Sequence, residues 1–292
     1  MQAFEYVAAT SVTQAVSLLK ERGEQARVLS GGTDLLVQLK EGRRYASLLI
    51  DIKPIPEVNE LSYSPETGLR IGAAVPCFHL SNQAAIRQAY PGLIDAVALI
   101  GGVQIQGRAT LGGNLSNASP AADSIPALIV HHAVCDIAGP AGRRELAVER
   151  FCTAPGKNAL DVGEFLVAIR VPPPPAHFGA AYLRFIPRNE MDIAVVGAAA
   201  SVTLNKQGDI ILSGRIALGA VAPTPLLAEE AGAALAGRPA DAEMIEQVAR
   251  IAQHAARPIT DMRGTAAQRK HLAYVLTRRV LEHAIERART TT

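Results

Sequence analysis

Apolar positions recur at helical spacing early in the chain, where Val12, Ala15, Val16 and Leu19 of VTQAVSLLKERG fall on one face, Ser11 and Gln14 stand at capping-box spacing, and Gly23 supplies a stop. The period then shortens. ARVLS reads as a short buried strand, TDLLVQLKEG as a short helix ending at Gly42, and SLLIDI as a second strand, which together predict a small βαβ-like unit. Further on, GLRIGAAV is strand-like, LSNQAAIRQAYPGLIDAVALIGG holds helical segments interrupted at Pro91, and CDIAGPAGRRELAV predicts two short strands around a Gly-Pro-Ala-Gly turn. The strand in EFLVAIRV runs into Pro172–Pro175, which cannot continue a ladder and mark a strand end and a domain boundary. Beyond the prolines, AAYLRF, DIAVVGAAASVTLN and DIILSGRIALGAV predict a three-stranded antiparallel sheet with NKQGD as a hairpin turn. PLLAEEAGAALAG, AEMIEQVARIAQHAA and AAQRKHLAYVLTRRVLEHAIERA predict helices that back this sheet.

With 292 residues and 49% hydrophobic composition, the chain can bury two cores. The formal net charge of +2 comes from acids and bases mixed along the sequence, so neither a nucleic-acid nor an anionic-membrane footprint is implied. Arg278, Arg279, Arg287 and Arg289 read as a solvated helix face. Cys77, Cys135 and Cys152 are scattered, with no C-x-x-C pair and no histidine at ligand spacing, so the expectation is no metal in this chain. The same sparse cysteines argue against a disulfide-stapled secreted fold, and MQAFEYVAATSVTQA lacks a signal-peptide pattern. No apolar run approaches the ~20 residues of a spanning helix, so the expectation is a cytoplasmic protein with no integral membrane segment. His131 and His132, adjacent in sequence, are expected to divide between core and solvent rather than to bind metal.

Two segments carry candidate chemistry: RVLSGGTDLLVQLKEG at 27–42 and ATLGGNLSNASPAADSIPAL at 109–128. Each places paired glycines before a helix-like run, where several backbone N–H groups can converge on a phosphate, and two such turns could clamp a diphosphate. Neither extends to G-x-G-x-x-G or G-x-x-x-x-G-K-[ST], and either turn alone reads as an ordinary loop. The pair puts dinucleotide binding level with that plainer reading. No G-x-S-x-G, no H-E-x-x-H and no paired carboxylates accompany the motifs.

The order VLSGGTDLL, TLGGNLSNASPAAD, GEFLVAIRVP, YLRFIPRNEMDIAVVGAAASV resembles the FAD-binding (medium) subunit of the molybdenum hydroxylases, the xanthine dehydrogenase and carbon monoxide dehydrogenase family, over essentially the whole chain. The resemblance implies an α+β fold: a two-lobed FAD-binding domain of the p-cresol methylhydroxylase type at residues 1–176, with lobes at about 1–55 and 56–176, and a small C-terminal domain of the carbon monoxide dehydrogenase flavoprotein type at 177–292. It further implies non-covalent FAD between the lobes, its diphosphate held by Val28, Leu29, Ser30, Gly31, Gly32, Thr33, Asp34 and Leu35 and by Thr110, Leu111, Gly112, Gly113 and Asn114. Asp123 matches a residue that contacts the cofactor's polar chain. Leu166, Arg184 and Ile193 match positions against the isoalloxazine or its edge, and Ile100 stands where the family often has an aromatic residue.

In function, the resemblance implies an electron-transfer flavoprotein: a molybdopterin large subunit oxidises substrate, an iron–sulfur small subunit with two 2Fe-2S clusters relays electrons to FAD, and the assembly is a dimer of heterotrimers. The uninterrupted run from 115 to 190 leaves no room for the cysteine-bearing insertion that adds a four-iron cluster in 4-hydroxybenzoyl-CoA reductases. Two alternatives stand beside this: a self-contained FAD-dependent oxidase or reductase on the same fold, and a nucleotide-binding scaffold without redox function. Read without the resemblance, Thr33, Asp34 and Asp123 are helix caps, Arg184 is a surface ion-pair partner, and Leu166 and Ile193 are core.

Overall fold

The computed structural model describes residues 3–188 and 191–291. Strands β1 (Glu5–Ala8), β2 (Ala26–Leu29) and β3 (Leu48–Asp51), with helices α1 (Val12–Arg22) and α2 (Leu35–Lys40), form the first layer. The sheet is parallel in the order β1-β3-β2, so the predicted βαβ-like unit gains a third strand that the mostly exposed EYVA segment did not signal. β3 is central and buried at all four positions, which is why LLID is almost continuously apolar. At the start of α1, Ser11 Oγ accepts from the Gln14 N–H, while the Gln14 side chain accepts from the N–H of Thr10, a capping box displaced by one residue.

A second, antiparallel sheet has the order β4-β5-β10-β6-β7, from β4 (Leu61–Ser64), β5 (Gly68–Gly72), β6 (Val134–Gly139), β7 (Gly142–Ala147) and β10 (Phe165–Val171). Between β5 and β6 come six short helices: α3 (Cys77–Ser81), α4 (Ala84–Ala89), α5 (Pro91–Val97), α6 (Val103–Gln106), α7 (Leu111–Ser116) and α8 (Ser124–Val130). A two-stranded ribbon, β8 (Cys152–Ala154) and β9 (Lys157–Asn158), follows β7.

The third sheet holds β11 (Phe178–Phe185), β12 (Val196–Leu204), β13 (Ile211–Gly219) and β14 (Leu226–Leu227), paired antiparallel in that order. It therefore has four strands, not three. The extra one is the Leu-Leu pair assigned from sequence to a helix, which shrinks to α9 (Glu229–Ala233) because Leu226 and Leu227 pair with β13 instead. Helices α10 (Ala242–Ala255) and α11 (Ala266–Thr290) close the chain.

Strand alternation divides this sheet between two cores. Ala181, Ala198, Ala200, Val202, Ile216 and Leu218 face α10 and α11, whereas Tyr182, Ala199 and Ala217 belong to the core built around α5 and α8. The sheet is thus covered on both faces. Close approach explains the small residues: a Cβ on Gly179 would lie 2.0 Å from the Ala284 carbonyl oxygen of α11, and one on Gly92 of α5 would lie 2.6 Å from the Ala180 carbonyl carbon. Of the four arginines expected on a solvated face, Arg278, Arg279 and Arg289 are exposed, whereas Arg287 is half-buried and braces this packing. Arg287 donates to Asp95 of α5 at 2.6 Å and to Ala180 O at 2.7 Å, and Arg289 donates to Gly208 O and Ala240 O. Among the described residues no helix is long and apolar enough to cross a membrane, and no group of three or more His, Cys, Asp or Glu could hold a metal ion.

The histidine pair divides between core and solvent. His132 is exposed and meets Arg215 at 2.9 Å, while His131 is 3% exposed and packs against Tyr90 and Phe178. Nδ1 of His131 lies 2.7 Å from Ala127 O, so the neutral ring carries its proton there, and burial holds its pKa down to about 4 from the ordinary 6.5. A folded-state pKa below the unfolded value means that the unfolded chain binds the proton first. Stability is then lost as pH falls below about 6.5, reaching ~3 kcal/mol below about 4. The melting temperature of wild type should accordingly fall more steeply between pH 7 and pH 5 than that of His131→Gln; parallel curves would show that His131 is not the proton-binding group.

Candidate functional site

The glycine turns are pressed against one another. A Cβ on Gly31 would lie 2.0 Å from the Arg108 carbonyl oxygen, and one on Gly112 would lie 2.5 Å from the Ala73 carbonyl oxygen. Gly32 has φ +80°, a conformation that disfavours a side chain. Ser30 Oγ donates to Ala73 O at 3.1 Å and meets Thr110 Oγ1 at the same distance, and Lys53 Nζ donates to Ser30 O. The glycines at 31 and 112 therefore serve backbone-to-backbone contact within the protein.

What the turns offer outward is N–H groups. In the first, Leu36 N–H reaches Gly32 O, but the N–H groups of Gly31, Gly32, Thr33 and Asp34 have no acceptor among the described residues. In the second, Thr110 Oγ1 accepts from Gly113 N–H as the α7 cap, which leaves Gly112 N–H without an acceptor. All five residues line one cleft of about 310 Å³. Unpaired backbone donors gathered in one concavity are an anion-binding arrangement.

The cleft runs between the first two sheets. Of the residues singled out from sequence, Val28, Ser30, Thr33, Leu35, Ile100, Thr110, Gly113, Asn114 and Leu166 also line it. Leu29 and Leu111 do not; they are 7% and 1% exposed and support the turns from behind. The asparagines bind the walls together: Asn114 Oδ1 accepts from Ser124 Oγ at 2.6 Å, and Asn117 Oδ1 accepts from Gln38 Nε2 of α2 at 3.1 Å. Asp34 occupies the position before α2 without making a capping bond.

Sequence reasoning missed the wall formed by Leu19, Ala26, Arg27, Ile52 and Phe165, together with Gln38, Arg44 and Asn158. Only Arg27 had a signal, by standing directly ahead of the first glycine block. The others come from α1, β2, α2 and the loop after it, the end of β3, the β8–β9 ribbon and β10, whose approach is a matter of tertiary packing.

Asp123, Arg184 and Ile193 lie off the cleft lining. Asp123 is 8% exposed; it precedes α8 but makes no capping bond, and instead accepts from Tyr182 Oη and Arg184 Nη1, each at 2.7 Å. The Arg184 side chain is 6% exposed, so this is a buried ion pair and not a surface one. Burial pushes the Asp123 carboxyl above the usual range against the pull of Arg184 and Tyr182, and burial followed by the Asp123 charge pushes the Tyr182 hydroxyl well above 10. Leu166 is buried at 3% exposure, whereas Ile193 is half exposed, outside the core.

Comparison with known proteins gives two family matches that follow one another along the chain: "FAD binding domain in molybdopterin dehydrogenase" over residues 2–174, and "CO dehydrogenase flavoprotein C-terminal domain" over 181–284. The carbon monoxide dehydrogenase medium chain of Afipia carboxidovorans is 34% identical over 287 residues, covering 98% of each chain. The xanthine dehydrogenase FAD-binding subunit of Escherichia coli O157:H7 is 31% identical over 284 residues, 97% of this chain and 96% of that one. In structure, a chain of the carbon monoxide dehydrogenase from Hydrogenophaga pseudoflava superposes with a TM-score of 0.93 at 34% identity, covering 98% of both chains. A chain of quinoline 2-oxidoreductase from Pseudomonas putida 86 gives 0.90 at 30% identity, again covering 98% of both.

The glycine geometry separates two substitutions. Gly31→Ala should destabilise the apoprotein by about 1–3 kcal/mol, since backbone stands where the methyl would go. Gly113→Ala should cost less than Gly31→Ala, because its Cβ meets a side-chain oxygen, Thr110 Oγ1, at 3.0 Å and no backbone. Equal melting temperatures for Gly31→Ala and wild type would refute the backbone contact. Arg184→Met should cost ~3 kcal/mol by stranding the Asp123 carboxylate, with part of the loss recovered in the double variant with Asp123→Asn. A wild-type melting temperature for Arg184→Met would show that the pair does not form.

Proposed function

This chain belongs to the family of FAD-binding subunits of the molybdopterin dehydrogenases, and we propose that its cleft holds FAD non-covalently through the two glycine turns, so that it serves as the flavoprotein, electron-transferring component of an oxidoreductase complex. The observation that carries the site assignment is that five residues whose N–H groups have no acceptor among the described residues, Gly31 to Asp34 and Gly112, line one cleft. A diphosphate presents the acceptors that such donors lack, and no side-chain charge of the turns is required for it.

Bound there, FAD supplies the redox chemistry, accepting electrons one at a time and passing them to an external acceptor. The chain's own part is to bind, orient and shield. Val28 to Leu35 and Thr110 to Asn114 take the polar linkage, with Leu29 and Leu111 acting through the turns they support. Ile100 and Leu166 give apolar walls for the ring, and Ile193 and Arg184 belong at its edge by family position. Asp123, locked between Tyr182 and Arg184, ties α8 to β11 and so fixes the cofactor side against the C-terminal sheet. No general acid, base or nucleophile is needed.

The domain division follows the same reading: residues 1–176 as a two-lobed FAD-binding domain of the p-cresol methylhydroxylase type, with lobes at about 1–55 and 56–176, and 177–292 as the C-terminal domain. The family supports an iron–sulfur small subunit as electron donor and a molybdopterin large subunit as the site of substrate oxidation, arranged as a dimer of heterotrimers in the cytoplasm.

Purified with its partners, the protein should carry about one FAD per copy of this chain, and acid precipitation should release the flavin into the supernatant. A colourless preparation that takes up no FAD, or flavin that remains with the precipitate, would overturn the proposal.

A further inference from the structure

The cleft carries two cations with no anion to answer them. Arg27, near the start of β2, and Arg44, in the loop between α2 and β3, both line it, and neither forms an ion pair among the described residues. Arg27 is held by its neighbours: Nη1 donates to Glu24 O at 2.6 Å and Ala26 O at 2.8 Å, while Nε is buried with no acceptor. Arg44 crosses to the opposite wall, where Nη2 reaches Gly156 O at only 3.4 Å, a contact easily given up. Burial and then the charge of Arg44 hold the Arg27 pKa below its ordinary value, with Glu24 a partial offset. The carboxylates on the lining do not neutralise the pair. Both oxygens of Glu164 are taken by Arg144, one of them also by the Asp161 N–H, and Asp34 lies exposed at the other end of the strand-and-turn segment.

Position says what the pair is for. Arg27 stands roughly 10 Å of extended chain before the turn, at ~3.3 Å per residue. The same cleft is lined by the apolar side chains of Ala26, Val28, Ile52 and Phe165. One ligand fits this sequence of surfaces: a diphosphate at the turns, continued into a flat apolar body with polar edges beside the arginines.

Resting on the FAD reading above, we propose that Arg27 and Arg44 recognise the adenosine diphosphate half of the dinucleotide, so that this half carries much of the binding. Guanidinium groups suit both components. They donate to purine and ribose acceptors, stack on a planar base, and favour the nearby diphosphate charge.

The test uses the full-length apoprotein and titration calorimetry with FAD, ADP, FMN and NAD⁺. Wild type should bind FAD and ADP competitively and bind FMN far more weakly, with FAD and ADP affinities that fall as salt rises. NAD⁺, which shares the ADP group, should compete less well than FAD. Arg27→Met and Arg44→Met should each weaken both FAD and ADP about tenfold and flatten the salt dependence, while Arg27→Lys retains part of the affinity. Removing one of two repelling charges should leave the apoprotein melting temperature unchanged or raised, which a purely structural role would not do. Wild-type affinities for FAD and ADP in both Met variants would overturn this proposal and leave FAD binding intact; wild type that fails to bind FAD would sink the underlying reading with it. NAD⁺ displacing FAD at equal concentration would reassign the subsite to a nucleotide acceptor.

Discussion

Gly31 has no room for a side chain because the carbonyl of Arg108 occupies that place, and much of the molecule follows from this contact. It forces the end of the parallel sheet against the loop entering α7, with Ser30, Thr110 and Ala73 completing the joint by hydrogen bonds. With the two turns in contact, the N–H groups of Gly31 to Asp34 and of Gly112 have no acceptor among the described residues, and these residues line one cleft. A cleft lined by residues with unpaired N–H groups is then a consequence of how two pieces of backbone pack.

A second joint links the cofactor side to the C-terminal sheet. Because β11, β12 and β13 alternate their side chains between two cores, the sheet cannot move away from α5 and α8 without opening both. Tyr182 and Arg184, two residues apart on β11, point to the same face and both seize Asp123. Arg287 performs the complementary service from α11, reaching Asp95 of α5 past the edge of the sheet. These polar ties lie between layers where apolar packing alone would permit sliding.

The elements legible in the sequence were those whose pattern has a local cause. Helix α1 showed its face and its cap, the proline run showed where β10 ends, and the long strands of the third sheet showed as Ala- and Val-rich runs with a hairpin signal between them. What escaped was decided by partners distant in sequence. β1 is exposed at three of its four positions and exists because β3 offers it an edge; β14 is two leucines drawn from a helical pattern by β13. At the site, the glycine turns were legible but their packing against each other was not, since nothing local reports that Arg108 backs onto Gly31. Arg184 was legible as a charge, but its burial depended on Asp123, 61 positions away. Arg27 showed only as the residue ahead of the first glycine block and Arg44 carried no pattern, because an unpaired cation is visible only when every neighbour is known.

The two kinds of polar group around the cleft answer different demands. Backbone donors at the turns are fixed by the fold and cost nothing further to orient, so they suit a group that must sit in one place. The paired charges Asp123 and Arg184 are satisfied by each other and suit a joint that must not change when the ligand comes or goes. Arg27 and Arg44 are satisfied by neither, and burial in a shared cleft makes their mutual repulsion matter. A protein whose redox chemistry is carried entirely by its cofactor has few other means of discriminating that cofactor from its fragments. Unanswered charge, placed a strand's length from the turns, measures the ligand's length as well as its sign.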